Sequence, residues 1–320
     1  MSFESPTGYN IQTRLKASLL GVVGSFILFA TYLTIPPLGL FSGILAPFPV
    51  AYNRLLHGRA SSLIIVLGTT ALITLLFGLL AGFMYMGMCV LTGLLLPELL
   101  VRRISASRSL FWTTVANFLL LYSSVAAYAF TTGLSIKKMI SNEISSSFNQ
   151  AVTLYEKGGI TGEDLELLKS SMTTAAELLH RLYPSLIVSM LIVIAGCNLL
   201  LLKKSIAKTA PDIIIGEFST FKCHDLTVWV LIATGITQLL PESQITYPAL
   251  NVLLVVLFVY FIQGMAVVST LLSRHSISTF LRIMLYVLLI IQPYLLALIA
   301  GIGLFDLWVD FRTPKTQENL

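Results

Sequence analysis

The sequence predicts an all-α, polytopic transmembrane helical bundle, and three observations support that fold class. About nine apolar stretches lie between Ala17 and Trp308. Hydrophobic residues make up 56% of the 320 residues and charged residues only 11%, whereas an ordinary soluble domain has about 25% charged residues. Lys and Arg cluster in every second gap between the stretches, which is typical of a chain that crosses a bilayer repeatedly.

The apolar stretches are interpreted as helical spans. A helix needs about 20 residues to cross a hydrocarbon core of ~30 Å, and a helix satisfies its own backbone hydrogen bonds in lipid. Alternating patterns typical of barrel strands are absent from the sequence. The predicted spans are 17–35, 38–56, 61–79, 81–100, 110–131, 183–202, 226–241, 248–272 and 281–305.

The first two stretches need separate interpretations. Residues 17–35 are too long for the apolar core of a signal peptide, and Ile35-Pro36-Pro37 does not resemble a cleavage site. Residues 38–56 contain Pro47 and Pro49. This stretch is therefore either a kinked span or a re-entrant hairpin packed against its neighbours.

The distribution of basic residues predicts the orientation. Of the 20 Lys and Arg, 13 fall in the gaps that we place inside, and five of the others lie in one long loop where the rule is weak. We therefore expect a multi-pass protein of the bacterial inner membrane with a cytoplasmic N-terminus. An eight-span alternative would place the C-terminus inside, together with Arg312 and Lys315; nine spans is the prediction that we follow.

The long loop, residues 132–182, is predicted to form an extracytoplasmic amphipathic helical hairpin. It separates an N-terminal membrane bundle (1–131) from a C-terminal membrane bundle (183–320). Gly158-Gly159 separates two helical patterns, and Thr161–Asp164 is typical of a capping box that opens the second. The apolar stripes are Ile136, Ile140, Ile144, Phe148, Val152 and Tyr155, then Leu165, Leu168, Met172, Ala175, Leu179 and Leu182. The hairpin either packs on the bundle, covers an outward-facing cavity or docks an envelope partner.

The sequence lacks recognisable catalytic motifs. G-x-x-x-x-G-K-[ST], H-E-x-x-H and G-x-S-x-G are all absent. Cys89, Cys197 and Cys223 are too widely spaced for a zinc pattern or a disulfide framework. We therefore expect no enzyme activity, no metal and no cofactor. The net charge of +5 comes from basic residues beside apolar segments, so nucleic acid is not an expected partner.

Polar residues inside the predicted spans are candidate ligand-binding residues, because such residues usually face the interior of a bundle. Asn251, Gln263 and Gln292 fall in the last two long spans and are the candidate substrate-binding residues. The alternative is that these amides only make hydrogen bonds between helices. Glu98 lies one helical turn before Arg102, so a local ion pair explains it.

Asp306, Asp310 and Arg312 form a candidate latch at the end of the last span. The two carboxylates are four residues apart and share a helix face. An unpaired carboxylate beside an apolar span is costly, which favours an Arg312–Asp310 ion pair at the membrane surface. The alternative is a solvated helix end that Trp308 anchors at the interface.

Several segments resemble the YybS-like family of uncharacterised bacterial membrane proteins. They are Tyr260–Val268 (YFIQGMAVV), Gln292-Pro293, Gly303–Arg312 (GLFDLWVDFR) and Pro47-x-Pro49. The resemblance implies a bacterial inner-membrane protein, distantly similar to the substrate-binding subunits of energy-coupling-factor vitamin transporters and to the rod-shape protein MreD. Those subunits have six spans, so the resemblance transfers no functional residue to this chain.

Two functions remain open at this stage. The first is a transport component that binds a small solute among its later spans and depends on a separate transporter ATPase and coupling protein. The second is a membrane scaffold whose outer hairpin recruits cell-envelope proteins. The lipid bilayer is a partner in both cases.

Overall fold

A computed structural model describes residues 11–133, 135–207, 209–210, 213, 215–241, 243–274 and 277–313. Every regular element in these ranges is helical, which confirms the all-α prediction. The helices are α1 (Ile11–Thr34), α2 (Pro36–Leu45), α3 (Phe48–His57), α4 (Arg59–Phe77), α5 (Leu79–Tyr85), α6 (Leu91–Val101), α7 (Ala106–Thr132), α8 (Ile136–Lys157), α9 (Glu163–Ile206), α10 (Leu226–Thr237), α11 (Thr246–Arg274), α12 (Thr279–Ile291) and α13 (Pro293–Val309). A π-helical turn, Met86–Val90, joins α5 to α6, and Phe218–Thr220 is a 3₁₀ turn.

Six helical segments of the described chain are long and apolar enough to cross a membrane. They are α1, α4, the continuous segment Leu79–Val101, α7, α9 and α11. A seventh is added if the bent pair α12–α13 is one span. The chain is therefore a polytopic membrane protein, but its continuous spans are fewer than the nine predicted. Lys315, used in the eight-span alternative, lies outside the described residues.

The predicted span 38–56 is two short helices, because α2 ends at Leu45 and α3 begins at Phe48. Pro47 and Pro49 lack the N–H groups that a continuous helix would use here. The carbonyl oxygens at the break accept hydrogen bonds from side chains. Ser25 Oγ donates to the Ala46 oxygen (2.9 Å), and Asn198 Nδ2 donates to the Ile44 oxygen (2.7 Å). Broken backbone at membrane depth is tolerated when the protein satisfies it in this way.

The other two differences also lie at short or broken helices. The predicted span 226–241 is α10, whose 12 residues extend only about 18 Å. The predicted span 281–305 is α12 and α13, bent by 103°. The bend falls at Gln292, whose extended backbone (φ −94°, ψ 107°) is what a residue before proline prefers.

Residues 132–182 form α8 and the first part of α9. The Ser135 hydroxyl oxygen accepts the Lys138 N–H (3.3 Å) and caps α8, and Gly159, with a φ of 94°, turns the chain as glycine readily does. α9 continues for 44 residues through Pro184, so one helix contains both the second predicted amphipathic pattern and the predicted span 183–202. Most of the predicted apolar stripe residues are half-buried, while Tyr155 and Leu179 are exposed and no residue of α8 is fully buried.

The chain divides into two compact units. The first contains α1 to α6, most of α7 and the C-terminal part of α9. The second contains α8, the N-terminal part of α9 and α10 to α13. Each unit thus contains segments of span length. The division of the sequence at 131 and 182 stays a prediction.

The interior of the first unit is closely packed around buried polar and aromatic groups. Tyr85 is fully buried, and its hydroxyl lies 2.8 Å from Ser25 Oγ. The ring of Tyr85 meets that of Phe29 edge to face at 5.2 Å. A Cβ on Gly93 would lie 2.7 Å from the Cβ of Val50, so α3 and α6 approach closely at this point.

Candidate functional site

In the second unit, α11 and α13 cross at two glycines. A Cβ on Gly264 would lie 1.9 Å from the backbone oxygen of Ile299, and one on Gly303 would lie 2.0 Å from that of Tyr260. Only glycine fits at such a backbone approach. The crossing brings together the two longer segments that carry the resemblance described above.

A chain of polar groups passes through this crossing. Gln263 is fully buried; its Oε1 accepts the Cys223 N–H (2.8 Å), and its Nε2 donates to Asp306 Oδ2 (3.1 Å). Asp306 is only 1% exposed, and the same Oδ2 accepts a hydrogen bond from Arg312 Nη2 (2.8 Å). We call Gln263, Asp306 and Arg312 the polar chain.

The polar chain also fixes the loop before α10. Arg312 Nη1 donates to the Ser219 oxygen (2.7 Å), which also accepts a bond from the Thr270 hydroxyl (3.3 Å). The loop therefore has contacts with α11 and with the residues that follow α13. Burial raises the pKa of the Cys223 thiol in this loop to about 12, so the thiol stays protonated and is a poor nucleophile at neutral pH.

The expected Arg312–Asp310 ion pair is wrong, because the Arg312 guanidinium pairs with Asp306. Asp310 lies just beyond the end of α13 in a left-handed conformation (φ 44°), so it does not share a helix face with Asp306. Its carboxylate accepts the Arg312 N–H (3.4 Å) and the Thr313 hydroxyl. The bond from Thr313 lowers the pKa of Asp310. The role of the three residues as a latch stays a prediction.

Three buried polar atoms at this crossing have no hydrogen-bond partner within the described residues. They are Asp306 Oδ1, Arg312 Nε and the Tyr260 hydroxyl oxygen. Buried polar atoms are ordinarily hydrogen-bonded, and exceptions call for an explanation. A carboxylate oxygen that accepts no hydrogen bond can take up a proton or accept a hydrogen bond from a small solute.

Asn251 lies apart from the polar chain and bridges a gap in α9. In a regular helix the Ser185 N–H would bond to the Arg181 oxygen. Here the Ser185 N–H donates to Asn251 Oδ1, while Asn251 Nδ2 donates to the Arg181 oxygen, each at 3.0 Å. The gap falls next to Pro184, where proline crowds the preceding turn. The Asn251 amide thus replaces one backbone hydrogen bond of α9.

Gln292 is separate from both groups, with an exposed side chain at the bend between α12 and α13. Of the two cavities described below, neither is lined by Asn251, Gln263 or Gln292. A substrate-binding role for these three residues stays a prediction. The structure brings Gln263 together with Asp306 and Arg312, a group that the sequence assigned to two different roles.

The first unit contains a second charged centre, formed by Glu98 and three arginines. The predicted pair with Arg102 is present (3.1 Å), and Arg54 and Arg59 also bind the Glu98 carboxylate. We call these four residues the Glu98 cluster. Arg54 and Arg59 were not predicted to be partners of Glu98, although both lie at helix ends in a gap predicted to be on the same side as Arg102.

A cleft of about 380 Å³ lies beside the Glu98 cluster. Its apolar wall consists of Leu63, Leu91, Leu94 and Leu95, and Ser62 completes the lining. A further surface cavity of about 670 Å³ is lined by α8 residues, most of them polar: Asn142, Ser145, Ser146, Asn149, Gln150, Thr153, Leu154 and Lys157. Within the described ranges, His, Cys, Asp and Glu form no group that could hold a metal ion.

Comparison with known proteins gives one match. A family model described as "Predicted membrane protein (DUF2232)" matches residues 23–307. Searches of curated proteins and of solved structures give no match to the chain.

Proposed function

The chain belongs to the DUF2232 family of predicted membrane proteins, and we propose that it is a non-catalytic transport component of the bacterial inner membrane. It binds a small solute in its second unit. A separate ATPase and a membrane coupling protein drive the transport. The N-terminus is cytoplasmic, and the turn between α8 and α9 is outside. Membership of the YybS-like group is part of the same proposal.

The buried carboxylate of Asp306 is the observation that carries this proposal. Ionisable groups inside membrane helices are rare and usually belong to substrate or ion pathways. Asp306 Oδ2 is occupied by Gln263 and Arg312, whereas none of the described residues bonds to Oδ1. A solute that offers a hydroxyl, amide or ammonium donor would complete the hydrogen bonding of this carboxylate.

The amides contribute to this proposal in an indirect way. Gln263 donates to the carboxylate and thereby orients it, while Asn251 maintains the backbone of α9. The solute therefore contacts Asp306, and Gln263 is a positioning residue. This assignment differs from the one made from sequence, in which the amides themselves contacted the solute.

The test is recovery of partners and solute with the full-length protein, purified from native membranes in mild detergent. We expect a transporter ATPase and its coupling protein in near-stoichiometric amounts, and a small molecule detectable by mass spectrometry after extraction. Asp306→Asn should lose the small molecule. The exposed Asp310→Asn is the matched control and should retain it.

Loss of the solute has to be separated from loss of the fold. Replacing Asp306 alone leaves the Arg312 charge without its carboxylate partner, which is destabilising. The double variant Asp306→Asn/Arg312→Gln removes both charges and should fold, again without solute. Retention of the solute by this double variant would contradict the assignment of Asp306.

A scaffold function is the second candidate, and the polar face of α8 favours it. Six of the eight residues that line the α8 cavity are Asn, Ser, Gln or Thr. A face rich in such side chains offers both donors and acceptors to a partner. Recovery of cell-wall or division proteins in the same purification, without an ATPase, would favour the scaffold function over transport.

A further inference from the structure

We propose that the cleft beside the Glu98 cluster binds the phosphoryl group of an anionic membrane lipid. The cleft lies in the first unit and is built from α3, α4 and α6. This inference is independent of the proposed solute site at Asp306. Either one can fail without the other.

Charge is the first argument. Three guanidinium groups bind one carboxylate, so the Glu98 cluster retains two uncompensated positive charges. The Glu98 oxygens accept bonds from Arg54 Nη2, from Arg59 Nε and Nη2 and from Arg102 Nε. Four bonds fill the accepting capacity of a carboxylate, whereas each guanidinium has five N–H donors. Donors therefore remain for a second anion.

The geometry of the cluster suits a phosphoryl group. Guanidinium forks match phosphate oxygens in pairs, which is why arginine is common at phosphate sites. Glu98 holds the three side chains in one place before any ligand arrives, and this reduces the entropy lost on binding. The Arg54 side chain is 11% exposed and forms the floor, while those of Arg59 and Arg102 are 67% and 64% exposed and lie at the mouth.

The position along the spans favours a lipid as the source of the phosphoryl group. Arg59 is the first residue of α4, and Arg102 directly follows α6. Both lie at ends of span-length segments, where lipid headgroups meet the hydrocarbon. Basic pockets between membrane helices at this depth are typical sites for anionic headgroups.

The leucine wall distinguishes a lipid from a soluble phosphate. Leu63 lies one helical turn after Arg59 and is 48% exposed. The other three leucines line the same cleft and lie before Glu98 in the first turns of α6, next to the π-helical turn. The acyl chain of a lipid whose phosphoryl group is bound would lie along this apolar surface, because the four leucines belong to segments that cross the hydrocarbon region. Inorganic phosphate has no group that would contact the leucines.

The test is a lipid-binding measurement on purified full-length protein in non-ionic detergent. The probes are short-chain phosphatidylglycerol, phosphatidylcholine of the same chain length and inorganic phosphate. Their binding is measured by titration calorimetry and native mass spectrometry. Phosphatidylglycerol should bind at least about tenfold more tightly than phosphatidylcholine. Arg59→Gln/Arg102→Gln should lose about tenfold or more of that affinity, since each change removes a charge-assisted bond.

Two variants serve as controls for charge and for the acyl chain. Arg108→Gln removes an exposed charge at the start of α7 that does not line the cleft, and it should leave binding unchanged within about twofold. Leu63→Ser should weaken phosphatidylglycerol binding and leave the binding of inorganic phosphate unaltered. If the double arginine variant does not fold, the two single variants should each show part of the same loss.

Three results would overturn the proposal. Equal binding of the two lipids would show that the net negative charge of the headgroup is not recognised, because both lipids carry a phosphate. An equal loss in Arg108→Gln would reduce the effect to the total positive charge of the protein. Inorganic phosphate that displaces the lipid completely, together with unchanged lipid binding in Leu63→Ser, would make a soluble phosphate the ligand.

Discussion

At the scale of single residues, Asn251 shows how a polar group within a span can act as part of another helix. Its amide accepts from the Ser185 N–H and donates to the Arg181 oxygen, the pair that a regular α9 would join directly. The sequence identified Asn251 as an inward-facing polar residue. Its partners were not predictable, because they are backbone atoms 66 and 70 positions away.

Asn251 and Pro184 should therefore be coupled energetically. Asn251→Leu removes the acceptor of the part-buried Ser185 N–H and the donor to the Arg181 oxygen, so it should destabilise the protein by about 1–3 kcal/mol. In a Pro184→Ala background the helix can close its own bond, and the same change should cost distinctly less. Thermal unfolding of the four proteins of this double-mutant cycle in detergent measures the coupling. Equal costs in both backgrounds would show that the amide does not substitute for the helix bond.

Only one of the three ion pairs in the Glu98 cluster could be predicted from local sequence spacing. The pair with Arg102 was predicted because residues four apart on a helix are neighbours. Arg54 and Arg59 are 44 and 39 positions from Glu98, and their approach depends on how α3, α4 and α6 pack. Similarly, Arg312 was assigned to the nearer carboxylate by spacing, whereas the end of α13 at Val309 directs it to Asp306.

At the scale of elements, apolarity predicted where helices lie better than where they end. Six of the nine predicted spans correspond to continuous helices of span length. The other three are apolar but short or broken, since hydropathy takes no account of backbone hydrogen bonding. Pro47 and Pro49 revealed the first break in the sequence. The continuity of α9 through Pro184 was not predicted, because Asn251, whose amide bonds to α9 on both sides of Pro184, lies in another helix.

The crossing of α11 and α13 offers a test of element packing. Gly303→Ala would place a Cβ 2.0 Å from the Tyr260 oxygen, so the helices must separate, at a cost of about 1–3 kcal/mol or more. Gly301→Ala, two residues earlier in α13, meets no atom within 4 Å and should stabilise the helix by about 0.5–1 kcal/mol. The midpoint temperature of thermal unfolding should be lower than that of the unsubstituted protein for the first variant only. A similar midpoint for both would mean that the crossing is looser than described.

At the scale of the whole molecule, the basic residues predict the sides of the membrane. Ser146 in α8 and Ser205 in α9 are both exposed, and α9 contains one span-length apolar segment between them. In a cysteine-free background, Ser146→Cys and Ser205→Cys should react with a membrane-impermeant maleimide from opposite sides, with position 146 outside. Reaction of both from the same side of intact cells would contradict an odd number of crossings between them.

The class of the protein was thus fully predictable, and its candidate site only in part. Composition and charge alternation predicted an all-helical membrane protein. Gln263, Asp306 and Arg312 were all singled out as costly groups near apolar helices. Their joining in one polar chain depends on the close approach of Gly264 and Gly303, which no spacing rule gives.

The break between α2 and α3 has a consequence for biosynthesis. Ser25, the donor to the Ala46 oxygen, precedes it in the chain, but Asn198, the donor to the Ile44 oxygen, follows it 154 residues later. At roughly 5–20 residues per second, the ribosome needs about 8 to 30 seconds to make that interval. During this time the Ile44 carbonyl oxygen has no hydrogen bond from Asn198. The break between α2 and α3 therefore reaches its final hydrogen-bonded structure only after most of the first unit has been synthesised.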